Sequence, residues 1–71
     1  MFLIPVVHVH IWEGFPQPKI NEVIRGITEV FTKMDIPARA VEVLIHEVPK
    51  SHWGIEGKPA TESLKDAKVP Q

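Results

Sequence analysis

From Val7 to Trp12 apolar and polar side chains alternate, with Val7, Val9 and Ile11 on one side and His8, His10 and Trp12 on the other. A period of two predicts a β-strand with one face buried. The run Glu13-Gly14-Phe15-Pro16-Gln17-Pro18 breaks the alternation, and its second proline suits the first turn of a helix. Ile20, Val23, Ile24, Ile27, Val30, Phe31 and Met34 then recur at spacings of three and four, which predicts an amphipathic helix of about four turns with one continuous apolar stripe. Gly26 inside it is expected to mark a point of close packing, since glycine there costs about 1 kcal/mol relative to alanine. Asp35-Ile36-Pro37 ends the helix, because the residue before a proline is pushed out of the α region. Alternation returns from Val41 to Val48, with Val41, Val43 and Ile45 on one face and Glu42, Leu44, His46 and Val48 on the other.

Strand, helix and strand in that order predict a right-handed β-α-β unit with two parallel strands, an α/β (α+β) fold. One helix covers one sheet face only. The other face carries Trp12, Leu44 and Val48 beside histidines, so the unit is expected to complete itself as a symmetric homo-oligomer larger than a dimer. Beyond Pro49 the chain is richer in glycine, proline and charge. Trp53-Gly54-Ile55 is expected to form a turn and short strand against a neighbouring subunit, and residues 61–68 a helical turn capped by Thr61 or Ser63.

Composition sharpens this. Seventy-one residues make one domain near the lower size limit for a self-sufficient core, and with no cysteine the remaining supports are a metal or subunit association. Eight basic residues are scattered among nine acidic ones, so no nucleic-acid partner is expected. The opening MFLIPVV is too short for a membrane span and lacks the basic flank of a signal peptide, which predicts no membrane partner and a cytoplasmic protein.

Two constellations carry candidate chemistry. An amino-terminal proline is a secondary amine titrating near pH 8, and apolar surroundings favour its neutral, basic form. Pro5 has that potential if the mature chain begins there; otherwise it is a tertiary amide and reads as a strand-opening residue where a missing donor is harmless. His8, His10, Glu42 and His46 share one predicted sheet face, a donor set of the kind zinc accepts. Histidine is equally at home as a half-buried strand residue.

Residues 5–14, the helical stretch after them and KSHWGIEGKPA (residues 50–60) together resemble the 4-oxalocrotonate tautomerase family, whose small subunits carry a catalytic amino-terminal proline. The resemblance implies a β-α-β subunit with a short C-terminal turn or hairpin, assembled as a hexamer. It also implies an isomerase that moves the keto–enol proton of a small carbonyl (2-oxo or enol) acid with no cofactor and no metal. Pro5 would be the general base, and Trp53, at the position of a family aromatic, an apolar wall of the substrate site. Family members acting on dicarboxylates place arginines where this chain resembles them with Phe15 and Glu42. These two are therefore candidate substrate-binding residues, Phe15 as apolar surface and Glu42 as a polar group ordering a water or a substrate cation. Their identity points away from a doubly charged substrate.

On this reading residues 1–4 are an extension before the proline, 5–60 the tautomerase-like domain and 61–71 a tail. Residues 1–4 are expected to continue the first strand across the site, and to reflect a start codon assigned a few residues early. The alternatives are a non-catalytic oligomeric protein of the same fold whose proline is blocked, and a histidine-based metal-binding module. Arg39 and Lys50, the cations nearest in sequence, are expected to be solvated surface charges.

Overall fold

The computed structural model describes residues 4–71. Strand β1 (Val6–Trp12) is followed by helix α1 (Gln17–Thr32) and strand β2 (Glu42–Val48). The two strands pair in parallel, with Val6 opposite Glu42, His8 opposite Leu44, His10 opposite His46 and Trp12 opposite Val48. This is the expected β-α-β unit. Alternation decides the two faces: Val7, Val9 and Ile11 are half-buried, whereas Val6, His8 and His10 are exposed.

Prolines set where the helical segments start. Pro16, Pro37, Pro49 and Pro59 each stand immediately before one, with φ of −62°, −63°, −64° and −68°. A pyrrolidine ring fixes φ near these values, so each segment begins from a preset backbone with no side-chain cap. The Pro16 carbonyl accepts from the amides of Lys19 and Ile20, that of Pro37 from Ala40 and that of Pro49 from His52. Helix α1 stops at Thr32, earlier than the Asp35-Ile36-Pro37 signal implied. Asp35 lies in the left-handed region at φ 66°, and the amide of Ile36 folds back to the carbonyl of Phe31 at 3.2 Å.

After β2 a single helical turn (Lys50–His52) leads into strands β3 (Gly54–Ile55) and β4 (Lys58–Pro59), which pair antiparallel, and then into the short helix α2 (Ala60–Ser63). The expected strand at Trp53-Gly54-Ile55 thus finds its partner in its own chain. Glu56 and Gly57, at φ 54° and 79°, form the two-residue turn of a hairpin whose twist suits both strands. The expected cap at Thr61 or Ser63 is also corrected. Pro59 opens α2, and the Ser63 hydroxyl instead donates to the Ile55 carbonyl at 3.2 Å.

Little of this is buried within one chain. Among the described residues only Ile20 and Ala60 are buried apolar residues, and no large side chain is fully enclosed. The radius of gyration is 15.1 Å, against about 11 Å for a compact domain of this length. Val30 and Met34, the far end of the predicted stripe, are 52% and 63% exposed, and Met34 lies beyond the helix. Among the described residues no atom outside the helix backbone lies within 4 Å of where a Cβ at Gly26 would stand, so the expected close packing is absent within one chain. Leu44 is exposed on the uncovered sheet face. No helix among the described residues is long and apolar enough to cross a membrane.

Candidate active site

Pro5 lies at the head of the strand pair. It is half-buried, and its carbonyl accepts the amide of Glu42 at 2.9 Å, the bond that opens the parallel ladder. Ile4 before it is 51% exposed and borders a small cleft with Pro37, Arg39 and Ala40. The strand begins only at Val6. Whether residues 1–3 continue it lies outside the described residues. The Glu42 side chain is exposed beside this end, and Arg39 is exposed as expected.

The opposite end of β1 is aromatic. Trp12 and Trp53 meet edge to face with ring centroids 6.1 Å apart. The Trp53 carbonyl accepts the amide of Ala60 at 2.7 Å, so the hairpin and the fully buried Ala60 hold this tryptophan in place. Trp12, Phe15 and Trp53, facing Lys68, Val69 and Pro70, line a cleft of about 280 Å³. The Trp12 ring nitrogen is shielded from solvent without a partner among the described residues, an arrangement costing about 1–3 kcal/mol.

Lys50 corrects the expectation of a solvated charge. Its ammonium donates to the carbonyls of Leu64 at 2.7 Å and Ala67 at 2.8 Å, and lies 4.7 Å from the centre of the Trp12 ring. Hydrogen bonds to a charged group contribute about 1.5–3 kcal/mol each, enough to hold a short polar tail against the strand ends. Replacing Lys50 with Met should therefore speed hydrogen exchange at the Ala67 amide by at least about tenfold. An unchanged rate would mean that the tail is held by other contacts. Neither this role nor that of Trp12 was visible in the spacing of residues. The only cue for Trp12 was its place at the end of the alternating run.

The structure brings the four predicted site residues together as two pairs. Pro5 and Glu42 share one end of the sheet, while Phe15 and Trp53 share the cleft at the other. Seven residues of extended chain separate the ends, roughly 20 Å. A small substrate cannot bridge that distance, so one site using all four residues has to draw them from two chains.

Three of the histidines stack face to face on the sheet. His8 Nδ1 lies 2.8 Å from His46 Nε2, and His46 stacks between His8 and His10 at centroid distances of 5.0 and 4.7 Å. Glu42 is four residues from His46 along β2, about 13 Å away. No group of three or more His, Cys, Asp or Glu side chains among the described residues is arranged to hold a metal ion, so the four-residue zinc set does not form within one chain.

The fold and the aromatic cleft describe a small β-α-β subunit with an apolar pocket at a sheet end. The family model for tautomerase enzymes matches residues 5–63, and the chain belongs to that family. It is 38% identical over 58 residues to a 2-hydroxymuconate tautomerase of Pseudomonas sp. (strain CF600), covering 80% of this chain and 92% of that one. Among solved structures, a 4-oxalocrotonate tautomerase isozyme from Methylibium petroleiphilum superposes with a TM-score of 0.75 at 33% identity, covering 80% of this chain and 94% of that one. A heterohexameric 4-oxalocrotonate tautomerase from Chloroflexus aurantiacus gives 0.74 at 25% identity, with 82% and 95% covered. The chain is thus an isomerase-type protein of the tautomerase family.

Proposed function

We propose that this protein catalyses keto–enol tautomerisation of a small 2-oxo or enol acid, with Pro5 as the general base when it is the amino-terminal residue. The observation that carries the reading is that the family match begins at Pro5, which is half-buried at the head of β1. A secondary amine there takes the hydroxyl proton of an enol and delivers a proton to its carbon. Only O–H and C–H bonds change, and no cofactor takes part. While Ile4 is attached the same nitrogen is a tertiary amide with no basic lone pair, and the subunit keeps its fold without a base. That inactive state is the second reading.

The site forms between copies. Pro5 and Glu42 of one chain face the Phe15 and Trp53 cleft of another, which fits the two pairs seen within one chain and the nearly absent core. A hexamer is the assembly we favour, since a family neighbour with this fold is a heterohexamer. Sedimentation at micromolar concentration should give a species larger than a dimer. A folded monomer would overturn the shared site. Trp53 and Phe15 exclude water from the amine, and desolvation disfavours its charged form. Glu42 orders a water or a cationic group beside it.

The base itself is open to chemical test. Treating a chain that begins at Pro5 with an α-halo keto acid should form one N–C bond at the proline with loss of halide, detected by intact mass and mapped to Pro5. The 71-residue form should resist at that nitrogen. Equal labelling elsewhere with no adduct on Pro5 would remove the nucleophilic amine from the mechanism.

A further inference from the structure

We infer that residues 64–71, anchored by Lys50, are a built wall that makes the Trp12–Phe15–Trp53 surface a binding cleft for apolar monocarboxylates, with Lys68 as the carboxylate contact. The inference rests on the tautomerase reading only in taking this ligand class to be the substrate's.

The tail is fixed at two points. At the first, the Lys50 ammonium joins the carbonyls of Leu64 and Ala67 to the face of Trp12. At the second, Val69 reaches the loop between β1 and α1, where its Cγ2 would stand 3.1 Å from a Cβ at Gly14. Gly14 has φ 108°, so the backbone strains any side chain at this position and Val69 would have to give way to one. The tail supplies three of the residues lining the cleft, Lys68, Val69 and Pro70, and the family match stops before it, at residue 63.

The cleft's chemistry selects the ligand. At about 280 Å³ it lies at the small end of ligand sites, room for one ring and a short chain. Its walls are indole, phenyl and aliphatic, and among the described residues Lys68 is the only charged one lining it. One carboxylate can meet that ammonium. A second would lie against apolar groups with no second cation lining the cleft among the described residues, and its partial loss of hydration is unfavourable. The cleft therefore accepts a compact apolar monoanion and disfavours a dicarboxylate of similar length.

The test is binding rather than turnover, on the 71-residue chain, whose Pro5 nitrogen is an amide. Tryptophan fluorescence and calorimetry are followed while the protein is titrated with 3-phenylpropanoate or with adipate. Phenylpropanoate should bind at least about tenfold more tightly than adipate. A chain ending at Ser63 should lose about tenfold or more of that affinity while its circular dichroism and sedimentation stay unchanged. Should that shortened chain fail to fold, Lys68→Glu decides, since this exposed side chain makes no hydrogen bond or ion pair among the described residues. It should weaken phenylpropanoate by about tenfold and leave 3-phenylpropanol, which has no charge, within about twofold. Tighter binding of adipate, or unchanged phenylpropanoate affinity in Lys68→Glu, overturns the proposal. Neither outcome bears on alkylation of Pro5, so failure of the wall and failure of the base are separable.

Discussion

A chain that begins at Pro5 will ketonise phenylenolpyruvate about 10²–10⁴-fold faster than the 71-residue chain, the range a positioned general base contributes. The difference is one of valence at a single nitrogen. In the longer chain the Pro5 nitrogen is acylated by Ile4, and amide resonance leaves no pair to take a proton at neutral pH. In the shorter chain it is a secondary amine with an ordinary value of about 8. The reactive form is the neutral one, so the rate should fall as pH drops through the amine's own value and level off above it. Removing residues 1–4 leaves intact the bond between the Glu42 amide and the Pro5 carbonyl, so the shorter chain retains the opening of its sheet. Equal rates from the two forms would sink the proline mechanism, as would a rate that rises on acidification.

The β-α-β core was legible because each element repeats one period over enough residues to be unambiguous. Val7 to Trp12 and Val41 to Val48 alternate, and Ile20 to Phe31 keep to one helical face. The observed strands differ from those spans by a single residue at their starts. Local energetics set those elements, and local patterning reports them. The C-terminal third was less legible because it is held by contacts that leave no period. The hairpin depends on positive φ at Glu56 and Gly57, only the second of which is a glycine. Lys50 looks like any surface lysine until the tail returns and offers it two carbonyls. Val30 and Met34 were read as part of one apolar stripe, and Gly26 as a packing point from the cost of glycine inside a helix. In one subunit that surface is open. The resemblance named Pro5, Phe15, Glu42 and Trp53 as candidates, and the structure sets Pro5 and Glu42 at one end of the sheet and Phe15 and Trp53 at the other.

Truncating Trp53 to alanine should separate assembly from catalysis and locate the site between chains. Removing a buried tryptophan costs about 3–5 kcal/mol. Trp53 is only half-buried in the single chain, so a loss in that full range would mean that a neighbouring copy covers it, and a loss near 1 kcal/mol that it stays open. If the oligomer persists, activity of the Pro5-initiated variant should still fall on the order of 10²-fold, because the wall that positions substrate and excludes water from the amine is gone. Two defective chains then provide the sharper test. The Pro5-initiated Trp53→Ala chain has a base and no wall, whereas the 71-residue chain has a wall and no base. Dissociated and reassembled together, they should regain activity well above the sum of the two alone, since some interfaces now join an intact proline to an intact tryptophan. The roughly 20 Å between the ends of β1 forbids that gain if each site is made within one chain. A mixture that never exceeds the sum, despite co-assembly demonstrated by native mass, would place proline and tryptophan in separate roles.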